Sequence, residues 1–111
     1  MKVEVKSGIL NINNKIVTFK FEVAQFIQLD KLIIVRLKVP VDIIFNENVF
    51  GLNEEAKIIW QIEHKDFIHK NSPYTNIRLL DNGQIRLSNW DGTQLIVEPL
   101  TGDIIKEDWV K

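Results

Sequence analysis

The sequence contains no cysteine, and this absence excludes a disulfide framework and a thiolate metal site. It also contains no long apolar run, since stretches such as residues 32–35 are far too short to cross a bilayer. The first residues alternate polar and apolar side chains and lack the roughly 7–15-residue apolar core of a signal peptide. We therefore expect a soluble protein of a reducing compartment, the cytoplasm, with no membrane contact.

The sequence also lacks an excess of charge of either sign. Lys and Arg number 14 against 15 Asp and Glu, so the formal net charge is −1. Such a balance gives no broad field to attract nucleic acid or anionic lipid, and we expect no direct nucleic-acid partner. The length of 111 residues predicts a single domain, with enough burial to fold without covalent cross-links.

Short alternating segments separated by turn residues dominate what is present. Asn82-Gly83 and Asp91-Gly92 lie between such segments and are strong hairpin signals, and Thr101-Gly102 marks a further turn. No stretch shows a sustained 3.6-residue apolar period. The sequence therefore predicts an all-β protein.

The order of these segments predicts two four-stranded antiparallel meanders, resembling propeller blades, after an N-terminal hairpin. The hairpin covers residues 1–18, the first meander 19–63, a linker 64–76 and the second meander 77–111. Residues 32–39 carry apolar side chains at both parities, as in a central strand that is covered on both faces. In the turn that closes the first meander, Ala56 stands where a positive φ would favour glycine.

The closing hairpin of each meander resembles the blade hairpin of quinoprotein-type β-propellers. The residues that carry this resemblance are Val49-Phe50-Gly51-Leu52-Asn53 with Lys57-Ile58-Ile59-Trp60, and Ile96-Val97-Glu98-Pro99-Leu100-Thr101-Gly102-Asp103-Ile104-Ile105. A propeller needs about four to eight blades to close. The resemblance therefore implies a partial propeller. Quinone cofactors lie on the axis of a closed ring, so no cofactor is implied here.

A second resemblance is to small bacterial immunity proteins of contact-dependent growth inhibition systems. It rests on the same hairpin and on the C-terminal ending Thr101-Gly102-Asp103-Ile104 with Val110-Lys111. Those proteins cover a ribonuclease-type toxin with curved β-sheets. The resemblance implies a protein-binding module, not an enzyme, whose partner is a toxin domain and whose binding closes off the toxin's active site.

Candidate catalytic and metal-binding residues are few. His64 and His69 lie close together with Glu63 and Asp66, but their spacing matches no recognised ligand pattern, and we interpret them as part of a surface linker rather than a metal or acid–base site. The serines lie in no nucleophile elbow, and no glycine-rich phosphate loop is present. We predict no catalytic residue, no metal and no cofactor.

Loop residues are the best candidates for partner binding, because loops on a rigid scaffold carry function. Residues 41–47 form an apolar connection that either folds back over the core or stays exposed for a partner. Trp90 stands at a turn, where a large ring is easily exposed, and Trp is common at interface hot spots. The predicted contact residues are Asp42, Phe45, Glu47, Asp66, Tyr74, Trp90 and Asp91.

In this hypothesis the acidic members of the set face a basic, RNA-binding cleft of the toxin. Two alternatives remain open. The sheet edges could pair two copies into a homodimer. A deep polar pocket between the sheets could instead hold a small ligand.

Overall fold

The computed structural model describes residues 1–109, which form strands in three antiparallel sheets and no helix. This confirms the predicted all-β class. The strands are β1 (Val3–Lys6), β2 (Ile9–Ile12), β3 (Lys15–Val17), β4 (Val23–Gln28), β5 (Leu32–Leu37), β6 (Val49–Asn53), β7 (Ile58–Gln61), β8 (Tyr74–Leu79), β9 (Ile85–Asn89), β10 (Thr93–Val97) and β11 (Ile104–Trp109). The described residues accordingly contain no helix long and apolar enough to cross a membrane.

Within each sheet, every strand pairs with the strands that precede and follow it in sequence, so all three sheets are up-and-down meanders. The central sheet has the order β4-β5-β6-β7 and the C-terminal sheet the order β11-β10-β9-β8, which confirms the two four-stranded meanders. The predicted N-terminal hairpin is present as β2 and β3, and β1 extends it into a three-stranded sheet. Asn13 and Asn14 adopt φ values of +50° and +67°, and these let the chain reverse between β2 and β3.

Strand β5 lies at the centre of the molecule with both faces covered, as its sequence predicts. Leu32 and Ile34 point into one core, and Ile33, Val35 and Leu37 point into the other. All five side chains are at most 4% exposed. The central sheet is therefore the middle of three layers.

The N-terminal core lies between the N-terminal sheet and the central sheet. The N-terminal sheet contributes Leu10 and Ile12, both fully buried. Val23 N donates a hydrogen bond to Gly8 O over 2.8 Å, and Asn13 Nδ2 donates to Glu54 O over 3.2 Å. The remaining buried members are Val23, Ile33, Val35, Leu37, Phe50 and Leu52.

The C-terminal core lies between the central and C-terminal sheets. Its buried members are Leu32, Ile34, Val49, Trp60, Ile62, Tyr74, Ile77, Ile85, Leu87, Leu95 and Val97. The indole of Trp60 joins the two sheets, because its Nε1 donates to Pro99 O over 2.8 Å. The ring lies against Gly51 and Gly102, where a Cβ atom at either position would collide with it.

The connection between β7 and β8 contains bends but no helical turn. The bends lie at residues 68–71. Two side chains bind carbonyls of this connection: Ser72 Oγ donates to His69 O over 2.6 Å, and Asn46 Nδ2 donates to Lys70 O over 2.9 Å. The connection ends at Tyr74, where β8 begins.

Candidate functional site: a groove beside the end of the central strand

A groove of about 360 Å³ opens where β5 ends. The chain that leaves β5 lines it with Val39, Pro40 and Val41. The segment that leads into β8 lines it with residues 71 and 73–75, and Trp90 reaches it from the turn between β9 and β10. Of the pockets found among the described residues, this one combines apolar lining with an exposed aromatic ring.

Two prolines shape the chain around the groove. Pro40 has no N–H to donate, so sheet pairing stops before it, and its carbonyl instead accepts a hydrogen bond from Ile43 N over 3.1 Å. Pro73 precedes β8, and its carbonyl accepts a hydrogen bond from Trp90 N over 3.0 Å. This second bond fixes the backbone of Trp90 at the edge of the groove.

The buried amide of Asn48 ties the end of β5 to the start of β8. Its Nδ2 donates to Leu37 O over 2.9 Å and to Tyr74 O over 3.0 Å, while its Oδ1 accepts from Tyr74 N over 2.8 Å. The residue is 1% exposed. Because buried hydrogen bonds are costly to leave unmade, these three bonds hold the two strands at a fixed separation.

Three more asparagines complete the frame around the groove. Asn46 Oδ1 accepts from Ser72 N over 2.8 Å, and Asn89 Nδ2 donates to Ser72 O over 2.8 Å. Asn71 Nδ2 donates to Val41 O over 3.0 Å and so joins the two segments that line the groove. The groove is therefore preformed.

The charges in the groove are cationic, although the chain as a whole is not. Arg36 and Lys38 line it, and none of its lining residues among positions 1–109 is acidic. Arg36 is half-buried, and its Nε donates to Gln25 Oε1 over 2.7 Å. Burial lowers the pKa of Arg36 below its ordinary value, although the guanidinium stays charged at neutral pH. Neither cation takes part in an ion pair with a residue of the described chain.

Trp90 and Tyr74 both line the groove but differ in accessibility. Trp90 is 66% exposed, as its turn position predicts. Tyr74 is 2% exposed, and its ring packs edge-on against Phe67 in the C-terminal core, with the centroids 6.0 Å apart. The first residue of β8 turns its ring inward, so Tyr74 presents little surface to a partner, and its predicted role in partner binding stays a prediction.

Residues 41–47 combine both of the interpretations that the sequence left open. Val41 and Asp42 are exposed, and Val41 is 94% exposed beside the groove. Phe45 folds back over the N-terminal core, where its ring centroid lies 5.7 Å from that of Phe21. Phe45 is thus only partly available to a partner.

Glu47 and Asp66 come together around His64. Glu47 Oε2 lies 3.4 Å from His64 Nδ1, and Asp66 Oδ1 lies 3.1 Å from His64 Nε2. Hydrogen bonding to Asp66 first, and to Glu47 second, raises the pKa of His64. The part of the chain that the structure describes holds no cluster of three or more His, Cys, Asp or Glu side chains suited to a metal ion.

Asp91 stabilises the turn that carries Trp90. Its Oδ1 accepts a hydrogen bond from Thr93 N over 2.8 Å, and its own N donates to Asn89 Oδ1 over 3.1 Å. Asp91 is half-buried, so part of its carboxylate remains open to solvent. Trp90 and Asp91 therefore project from the same rigid turn.

Comparison with known proteins identifies a family. A family model matches residues 1–109, almost the whole chain. The chain belongs to the family described as "Domain of unknown function (DUF7957)". No curated protein and no solved structure matches it.

The residues predicted from the sequence to form the site do not include several side chains that build the groove of this DUF7957 member. Arg36 and Lys38 interrupt one face of an otherwise apolar segment, and that interruption was the available signal for a polar site. Asn46 and Asn48 alternate within the apolar stretch before β6. Such alternation puts both amides on one side of an extended chain, but the carbonyls that they bind are 11 to 26 residues away.

Proposed function

We propose that the protein is a protein-binding module rather than an enzyme, and that it binds through the groove and its edge. The observation that carries this proposal is the pair of exposed apolar side chains there, Trp90 at 66% and Val41 at 94%. Exposed apolar side chains grouped beside a preformed groove are typical of interaction surfaces, and Trp is enriched among interface hot spots. The hydrogen bonds of Asn48 and Asn71 reduce the ordering that binding would require.

The partner that we propose is a ribonuclease-type toxin, with the protein acting as its immunity protein in the bacterial cytoplasm. Support comes from the sequence resemblance to immunity proteins and from the acidic side chains near the groove or on the β7–β8 connection. The side chain of Asp66 is 99% exposed, Asp42 is exposed and Asp91 is half-exposed. These carboxylates would face the basic cleft of a nuclease while the body of the protein blocks access to it.

The test uses the nuclease domain encoded next to this gene. Co-expression should abolish its toxicity, and the purified pair should form a 1:1 complex by light scattering. Trp90→Ala should weaken binding by about 2 kcal/mol, or roughly thirtyfold, in calorimetry, because the ring would be lost from a hot spot.

Leu100→Ala is the matched control, since Leu100 is 68% exposed but lies in the turn between β10 and β11. It should leave the affinity unchanged. A neighbouring nuclease that remains toxic in the presence of this protein, or equal losses for the two variants, would refute the proposal.

A second candidate function, self-association through sheet edges, is favoured by one observation. Strands β7 and β11 are the outer strands of their sheets and expose Ile58 and Ile105, each at 51%. Outer strands can pair with another copy. A molar mass that rises with concentration in light scattering would support this candidate, and a constant monomer mass would exclude it.

A further inference from the structure

The groove carries two cations, Arg36 and Lys38, that have no acidic partner within residues 1–109. Starting from the proposed function, we propose that the groove binds an extended acidic segment of the partner protein. A carboxylate of that segment pairs with Arg36 and Lys38, and a neighbouring apolar side chain packs against Trp90. The carboxylates outside the groove thus face basic groups of the partner, while the groove itself receives an acidic one.

The guanidinium of Arg36 is held in position for such a contact. Its Nε is bound to Gln25 Oε1, and Gln25 is itself fixed, because the same oxygen accepts from Ile77 N over 3.1 Å. Gln25 Nε2 also donates to Asn76 Oδ1 over 2.8 Å. Among the described residues no hydrogen bond uses the two Nη atoms of Arg36, so they remain available for a bidentate carboxylate.

Burial adds to the attraction for an anion. A half-buried cation has lost part of its hydration, and a carboxylate would replace the missing water with charge-assisted hydrogen bonds. The lowered pKa of Arg36 has the same physical cause. Lys38 is exposed and supplies a second positive charge along the same lining.

An acidic peptide fits this groove better than a nucleic acid does. Two cations are a local feature of a chain whose net charge is −1, whereas nucleic-acid binding draws on an extended basic surface. The other lining side chains include Val39, Pro40, Val41 and Pro73, which suit the aliphatic groups of a peptide. Because the buried amide of Asn48 and the half-buried amide of Asn71 hold the groove open, an extended segment could enter without rearranging it.

The test uses a defined peptide probe, Ac-Leu-Glu-Leu-Asp-NH2, and its uncharged analogue Ac-Leu-Gln-Leu-Asn-NH2. In an NMR titration of the ¹⁵N-labelled full chain, the acidic peptide should shift the Trp90 indole, Arg36 Nε and Thr75 N resonances. It should bind at least tenfold more tightly than the analogue. Equal affinity for the two peptides, or shifts confined to other surfaces, would overturn the proposal.

Arg36→Gln should weaken binding of the acidic peptide about tenfold and remove its advantage over the analogue. Lys38→Gln should weaken it several-fold, and because Lys38 is exposed this variant keeps the test valid if Arg36→Gln fails to fold. Lys57→Gln, an exposed lysine in the turn before β7, is the control that should bind normally. If the single variants Lys38→Gln and Trp90→Ala both bind the acidic peptide as tightly as the unaltered chain does, the proposal is refuted.

A tetrauridylate oligonucleotide distinguishes the competing ligand class. If it shifts the groove resonances while the acidic peptide does not, the peptide proposal is wrong. Failure here can also be separated from failure of the proposed function. If Trp90→Ala weakens the toxin complex but Arg36→Gln does not, the proposed function stands and the acidic-segment proposal fails. If the acidic peptide binds but no toxin complex forms, the acidic-segment proposal stands and the proposed function fails.

Discussion

At the scale of single residues, two neighbouring buried side chains differ in whether their polar atoms have hydrogen-bond partners. Asn48 makes three hydrogen bonds at 1% exposure, whereas the Tyr74 Oη atom is buried and has no hydrogen-bond partner among the described residues. Burial raises the pKa of Tyr74 well above its ordinary value, so the phenol stays protonated. The two residues lie next to each other, yet substitutions at them should have opposite effects on stability.

Tyr74→Phe should raise the free energy of unfolding by about 1 kcal/mol, because it removes a buried hydroxyl without a partner and keeps the ring against Phe67. Asn48→Ala should lower the same quantity by about 3 kcal/mol, because it leaves buried backbone groups of Leu37 and Tyr74 unpaired. Urea unfolding followed by tryptophan fluorescence measures both. A destabilised Tyr74→Phe would mean that the hydroxyl does have a partner.

His64 provides a pH-dependent contact on the surface. Its pairing with Asp66 and Glu47 favours the protonated ring, so its pKa lies above the ordinary 6.5. The stabilisation from protonated His64 is therefore complete below about pH 6.5 and is lost as the pH rises through the raised pKa. Asp66→Asn should lower the pKa of His64 more than Glu47→Gln does.

The measurement for His64 is an NMR titration of the ring resonances, with His69→Gln used to assign them. The ranking follows from the shorter contact, 3.1 Å to Asp66 against 3.4 Å to Glu47. A pKa that is unaffected by Asp66→Asn would show that the two side chains do not pair in solution.

At the scale of elements, the hairpin of β6 and β7 connects the central sheet to the C-terminal sheet. Trp60 at its end binds the Pro99 carbonyl, and its ring occupies space that Gly51 and Gly102 leave free. Gly51 and Gly102 belong to the two closing hairpins that the sequence analysis compares with propeller blades. Only the folded chain shows that both glycines contact the same indole. The hairpin is therefore one of the links between the two meanders, alongside the hydrogen bonds of Gln25 to β8 and the β5 side chains in the shared core.

Gly102→Ala should destabilise the fold much more than Gly83→Ala does. Both glycines have positive φ, +76° and +84°, so each alanine adds about 1 kcal/mol of backbone strain. A Cβ on Gly83 meets open space, whereas a Cβ on Gly102 would lie 2.6 Å from the Trp60 ring. We expect a loss of about 3 kcal/mol for Gly102→Ala, measured by urea unfolding. Equal losses would show that the ring moves aside freely.

Local patterns predicted the elements well because turns and alternation act over a few residues. The segment from β6 to β7 forms the expected hairpin, and Ala56 adopts a φ of +65°, as the missing glycine indicated. The groove could not be predicted in the same way. In the sequence, nothing distinguishes Asn48 from other polar residues next to a strand. Its role depends on hydrogen bonds to Tyr74, which is 26 residues away. Likewise, Tyr74 was placed in the linker of residues 64–76 and so was predicted to contact a partner, and only the sheet packing shows that it begins β8 with its ring pointing inward.

At the scale of the whole molecule, three sheets form two cores that share the central sheet. The N-terminal sheet is small, yet it covers Ile33, Val35 and Leu37 together with Phe50 and Leu52. These five side chains are at most 8% exposed. Without the N-terminal sheet, one face of the central sheet would be a continuous apolar surface.

A chain that lacks residues 1–17 should therefore aggregate or bind the dye ANS strongly, because it exposes this apolar face. Leu10→Ala, which removes a fully buried side chain from the same core, should retain the fold and lose about 3 kcal/mol. Circular dichroism and ANS fluorescence report on both. A truncated chain that stays monomeric and unfolds cooperatively would show that the N-terminal sheet is an independent addition.

The two-sided burial of β5 also has a kinetic consequence. Each of its side chains from Leu32 to Val35 contributes to one core or the other, so opening either layer disturbs the same strand. Amide protons of β5 should therefore be the last to exchange with deuterated solvent, at a rate set by global unfolding. The frame that holds Arg36 and the edge of the binding groove would then persist until the entire chain comes apart.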